Sequence, residues 1–224
     1  MQRAHPRLTL GPIQNPVRGI LHGAAALASV VGAGFLWAGC AGGWTARLAL
    51  ATFAGSLVAL YTTSSLYHAV PWPRLWKRRM QRLDHSMIYV LIAGTYTPVA
   101  AIALDGDLRW VALGASWSIA AVGIAQKVFR PGLADGYSIA LQTLQGWLAL
   151  PLLFLAHRLP APALALALLG GAFYTLGMVF LVTERPRLWP RVFSSHELFH
   201  VLVVSGSAVH YAMALRYLAP LAGG

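Results

Sequence analysis

Residues 161–183 read APALALALLGGAFYTLGMVFLVT, a run without a single Asp, Glu, Lys, Arg or His. At about 1.5 Å per residue a helix of this length measures about 34 Å, enough to cross a hydrocarbon core of about 30 Å. Helices that are apolar on every side are either buried in a large core or exposed to lipid. Working outward, runs of the same kind, bounded by charge, Pro or Gly, cover 19–40, 46–70, 84–104, 108–127, 137–156 and 195–218. The fourth carries Ser116, Ser118 and Gln126, and the fifth opens with Ser138, Gln142, Thr143 and Gln145. Their length and scarcity of charge still favour spanning.

The composition agrees. Hydrophobic residues make up 58% of the chain and charged residues 10%, with a mean hydropathy of +0.62, whereas about a quarter of a soluble domain is charged. Seven spans and their connections use the whole of the 224 residues and leave no room for a second, soluble domain. The expected architecture is an all-α membrane protein, a seven-transmembrane helix bundle over 19–218, preceded by a cytoplasmic segment 1–18 and followed by a short tail 219–224. The run from Gly19 to Cys40 is longer than the 7–15 apolar residues of a cleaved signal and reads as the first span. Short connections make consecutive helices antiparallel neighbours. There is no internal repeat, and the lone Cys40 sits in Trp-Ala-Gly surroundings without a redox or metal motif, as a packing residue.

A net charge of +11 would suggest nucleic acid as a partner if it were gathered on one surface. Numbering the membrane sides alternately shows a different arrangement. The N-terminus and the 71–83, 127–136 and 184–194 loops share one side and hold all of the 17 Lys and Arg except Arg47, Arg109, Arg158 and Arg216. The charge is a topology signal, which excludes nucleic acid; by the positive-inside rule the N-terminus is cytoplasmic and the C-terminus outside. The 71–83 and 184–194 loops also carry Trp, as segments lying against headgroups do.

Ionisable groups within spans are costly and mark function. Here they are His22, His68, Asp84, His85, His196, Glu197, His200 and His210. His196 and His200 are four apart on the seventh helix, so they lie about 40° apart on one face, one turn apart in height. His68 closes the second helix and Asp84 opens the third, so all four groups fall within about two turns of the cytoplasmic face. Three imidazoles with a fourth position open match a catalytic zinc site, whereas structural sites fill all four positions, often with cysteines. Asp84 could be a fourth ligand or the base that takes a proton from water. Ser64, one turn from His68, could bond that water or a carbonyl, or bond back to its own helix. Tyr67, Tyr89 and Tyr96 read as packing or interface residues, and Gly94 and Pro98 as a bend that lets neighbours approach. His22 could stand behind the site. His210 lies about three turns deeper than His200, too far for a direct metal bond.

The segments SSLYH (64–68), LDHSMIYVLIAGTYTP (83–98) and HELFHVLVVSGSAVHY (196–211) resemble the haemolysin III family, bacterial relatives of the progestin and adipoQ receptors. These belong to a wider superfamily of proposed membrane hydrolases that includes alkaline ceramidases. The resemblance implies one zinc ion on His68, His196 and His200 with Ser64 and Asp84 beside it, and a bacterial plasma membrane location. It further implies a role in membrane-lipid or fluidity homeostasis. Members often carry an acidic pair before the first-helix His-Gly; here the stretch before His22 and Gly23 reads LGPIQNPVRGIL. The leading expectation is a zinc-dependent hydrolase of a lipid amide or ester, with membrane lipid as partner. The alternatives are a pore former, which should show a continuous polar face on several helices, and a receptor-like regulator with a structural metal.

Overall fold

The computed structural model describes residues 9–130, 135–189 and 192–223. The ends of the N-terminal segment and tail, at 1–8 and 224, and parts of the third and fourth basic segments, at 131–134 and 190–191, lie outside them. In order, the helices are α1 (Pro16–Gly39), α2 (Trp44–Ala69), α3 (Arg74–Ala103), α4 (Gly106–Phe129), α5 (Asp135–Trp147), α6 (Ala149–Leu155), α7 (Ala161–Thr183) and α8 (Ser195–Met213). A π-helical turn over Ala214–Leu218 joins α8 to α9 (Ala219–Leu221). Among the described residues seven helical stretches are long and apolar enough to cross a membrane, one of them α5 with α6 and another α8 through α9. This is the expected seven-helix bundle.

Two boundaries differ from the expectation, each for a backbone reason. α3 begins at Arg74, so most of the expected 71–83 loop is helix. Pro73 supplies the stop, and RLWKRRMQRL after it contains neither Gly nor Pro and is rich in helix formers. Hydropathy marks where the apolar part begins, not where the hydrogen-bonded turns begin. The fifth span is broken at Leu148: Pro151 lacks an N–H, and its ring clashes with the carbonyl four residues earlier, at Trp147.

α2 and α3 form the centre, with 50% and 61% of their spanning windows buried, whereas α7, at 17%, faces outward over most of its surface. The helices meet through small residues. A Cβ on Gly94 would stand 2.3 Å from Ser56 Oγ of α2, so the close approach expected of that glycine is realised. α3 and α5 are stitched by polar groups. Tyr89 Oη donates to the Ser138 carbonyl at 3.1 Å and Tyr96 Oη to that of Gln145 at 2.8 Å, while Gln145 Nε2 donates to the carbonyls of Tyr89 and Ser116. Ser138 and Gln145, two of the polar residues of the fifth span, thus find partners inside the bundle.

The basic end is closed by the chain before α1. Gln14 N and Asn15 N donate to the carbonyls of Ala69 and His68 at the end of α2, and Lys77 Nζ donates to the Tyr67 carbonyl at 2.5 Å with its charge over the Tyr67 ring. These contacts satisfy carbonyls that the last turn of a helix leaves open. At the opposite end Ala41 N donates to the Ala219 carbonyl, tying the α1–α2 turn to α9.

Candidate metal centre

His68 stands in the last turn of α2 and His196 and His200 in the first two turns of α8. The start of α8 is set locally by a capping box, in which Ser194 accepts from the first turn and the Glu197 carboxylate accepts from Ser194 N at 2.7 Å and from the Ser194 hydroxyl. The other carboxylate oxygen accepts from Arg18 Nε of α1 at 2.6 Å, and both partners are buried. One carboxylate therefore caps α8 and anchors it to α1, one residue along from His196.

From the three histidines, one ligand nitrogen each can be chosen so that all three lie within 4.8 Å of one another. Ring centroids are 4.9 Å apart for His68 and His200, 5.7 Å for His68 and His196, and 5.0 Å for the near-parallel pair His196 and His200. His68 and His200 are buried and His196 is partly so. His22, on the second turn of α1, brings Nε2 to 2.9 Å from His200 Nδ1, with the Tyr61 ring edge-on against it. One nitrogen of His200 is thereby occupied and its Nε2 is left for the triad. Such a partner fixes ring orientation and tautomer in metal-ligating histidines.

The structure thus brings together the three histidines expected as ligands. Asp84 is not in the group of mutually close ligand atoms; it is buried, with Ser64 and the Lys77 charge nearby. His210 is absent from the cluster, and its Nε2 donates to the Ala167 carbonyl at 3.1 Å.

Sequence reading missed one contributor. Arg18 is one of the basic residues that set the topology, yet it lies within α1 and is 4% exposed; an Arg at the edge of the first apolar run, four residues before a His, is the available signal. His22, expected behind the site, is found there, although no local pattern couples it to a residue 178 positions away.

The triad opens on a cavity of about 660 Å³ that reaches Leu104 and Met213 toward the opposite end. Ser64, Asp84, His85 and Lys127 border it at the basic end, and Leu91, Ile92, Val99, Leu153 and Val203 line it further in. A cavity of this volume is of the size that takes up a small molecule.

The fold and site define a multi-pass helical membrane protein whose buried histidine triad could hold one metal ion. Among known families, the one described as Haemolysin-III related matches residues 12–211. The chain belongs to that family. It is 34% identical to Hemolysin-3 of Bacillus cereus over 80% of its length and 78% of the relative's. To the Hemolysin-3 homolog of Bacillus subtilis (strain 168) it is 33% identical, over 74% and 75%. A more distant relative, monocyte to macrophage differentiation factor of Homo sapiens, is 25% identical over 72% of this chain and 67% of its own.

Proposed function

We propose that this protein is a zinc-dependent hydrolase of a lipid amide or ester in the bacterial plasma membrane, oriented with its N-terminus and metal centre on the cytoplasmic side. The observation that carries this reading is the three imidazole nitrogens within 4.8 Å of one another at the polar end of an elongated apolar cavity, with a carboxyl and a hydroxyl in the same wall.

The residues fit the ion. Neutral nitrogen donors suit zinc, and three of them leave one position for chemistry. When bound there, zinc supplies Lewis-acid polarisation of a carbonyl and acidification of water. The chain's own groups do the rest. His22 orients His200; the cavity takes the acyl chain and keeps bulk water away; Asp84 accepts the proton and returns it to the leaving amine or alcohol. Ser64 holds the Asp84 carboxyl or donates to the substrate carbonyl. The Hemolysin name of the bacterial relatives suggests a pore, but the Asp and Lys side chains that line the cavity, Asp84 and Lys127, lie at its basic end, and further in, among the described residues, it has no ring of charge of the kind that selective pores use.

The test is elemental analysis alongside turnover of N-acyl amides and acyl esters. Wild type should carry one zinc and be active; His196→Ala should lose both; Asp84→Asn should keep zinc and lose turnover by about 10²-fold or more. Turnover undiminished in zinc-free protein would overturn the reading, and wild type that binds zinc but turns over no acyl substrate would leave the metal structural.

A further inference from the structure

The cavity carries polar groups well away from the metal centre. Gln142 of α5 lines it and is 7% exposed. No side chain or backbone group of the described residues hydrogen-bonds its side-chain amide. On α8, His210 lines the same cavity at 8% exposure; because its Nε2 donates to the Ala167 carbonyl, Nδ1 remains an acceptor, and it too has no partner. Buried amides and imidazoles are normally satisfied, and a single unpaired one costs about 1–3 kcal/mol.

Both lie at one level. His210 is ten residues beyond His200, about 15 Å along α8. α3 and α5 run parallel, with Tyr89 bonded to Ser138 and Tyr96 to Gln145. That register places Gln142 near residues 90–93 of α3, about 10–13 Å past Asp84. An extended hydrocarbon built from bonds of about 1.5 Å advances about 1.25 Å per carbon. The span from the triad to this level is thus about eight to twelve carbons.

We propose that the cavity is built for an acyl chain bearing a mid-chain hydroxyl, about eight to twelve carbons from the carbonyl, with Gln142 and His210 as its hydrogen-bonding partners. The hydroxyl donates to His210 Nδ1 and accepts from the Gln142 amide. The proposal rests on the reading above, in which the carbonyl end lies at the triad, and it narrows the substrate to a hydroxylated lipid.

The experiment measures displacement of a fluorescent fatty acid from purified full-length protein by stearate and by 3-, 10- and 12-hydroxystearate. Partitioning into detergent cancels when each hydroxy-to-plain ratio is compared between wild type and variant. Wild type should favour the 10- or 12-hydroxy acid about three- to tenfold over the ratio seen in the near-isosteric Gln142→Met, and His210→Leu should give the same loss from the other wall. The 3-hydroxy acid should show no such difference. Equal ratios in wild type and both variants, or an equal gain from the 3-hydroxyl, would overturn the proposal. Repeating the ratios in His196→Ala separates the two readings: a ratio intact there, in a protein whose wild type proves inactive, sinks the hydrolase alone, whereas turnover without discrimination sinks the hydroxyl site alone.

Discussion

Arg18→Met isolates the contact that anchors α8. In the folded protein the Arg18 and Glu197 side chains are 5% and 7% exposed and meet at 2.6 Å. Removing one member of such a pair leaves the other charge buried and uncompensated, at a typical cost of about 3–5 kcal/mol. Here Glu197 keeps two bonds, from Ser194 N and from the Ser194 hydroxyl, which continue to solvate its charge. They offset part of the loss, so about 2–3 kcal/mol is expected. Methionine keeps most of the aliphatic volume, so little of this arises from packing. The assay is thermal unfolding in detergent with chelator present, paired with a zinc titration, because His196 and His200 share the turn that the pair holds. A double-mutant cycle with Glu197→Gln should recover at least half of the loss, since no buried charge then remains. A single variant within about 0.5 kcal/mol of wild type, with unchanged zinc affinity, would refute the argument that this pair positions the metal-binding turn.

Three further outcomes follow from distances within the bundle. His22→Leu should lower zinc affinity about 10–100-fold while leaving the fold intact, measured by competition with a chelating dye, because His200 loses the partner 2.9 Å from its Nδ1. Gly94→Ala should destabilise by about 1–3 kcal/mol, since its Cβ would stand 2.3 Å from Ser56 Oγ and 2.6 Å from Ser56 Cβ. Thermal melting should show Ser56→Gly restoring most of that loss. Ser64→Ala should retain zinc yet reduce turnover by about tenfold or more, because the Asp84 carboxyl loses the hydroxyl beside it; unchanged turnover would remove Ser64 from the chemistry.

The seven spans and the histidine triad were legible in the linear chain for one physical reason. A bilayer demands about 20 apolar residues per crossing and penalises every ionisable group within them, so the few that are present mark the site. Alternation of basic loops then put His68, Asp84, His196 and His200 at one end before any contact was known. Helix ends were less legible, because hydrogen-bonded turns run past the apolar boundary: α3 starts at Arg74, and Pro151 splits the fifth span. What only the tertiary structure decided were the contacts between residues far apart in the chain. Arg18 turned from a surface charge into the anchor of Glu197, and His22 became the partner of His200. Periodicity places a side chain on a helix face and at a depth, but helix rotation and packing decide what that face meets. That difference is why the triad could be read from the sequence, whereas the cavity and its second polar level at Gln142 and His210 could not.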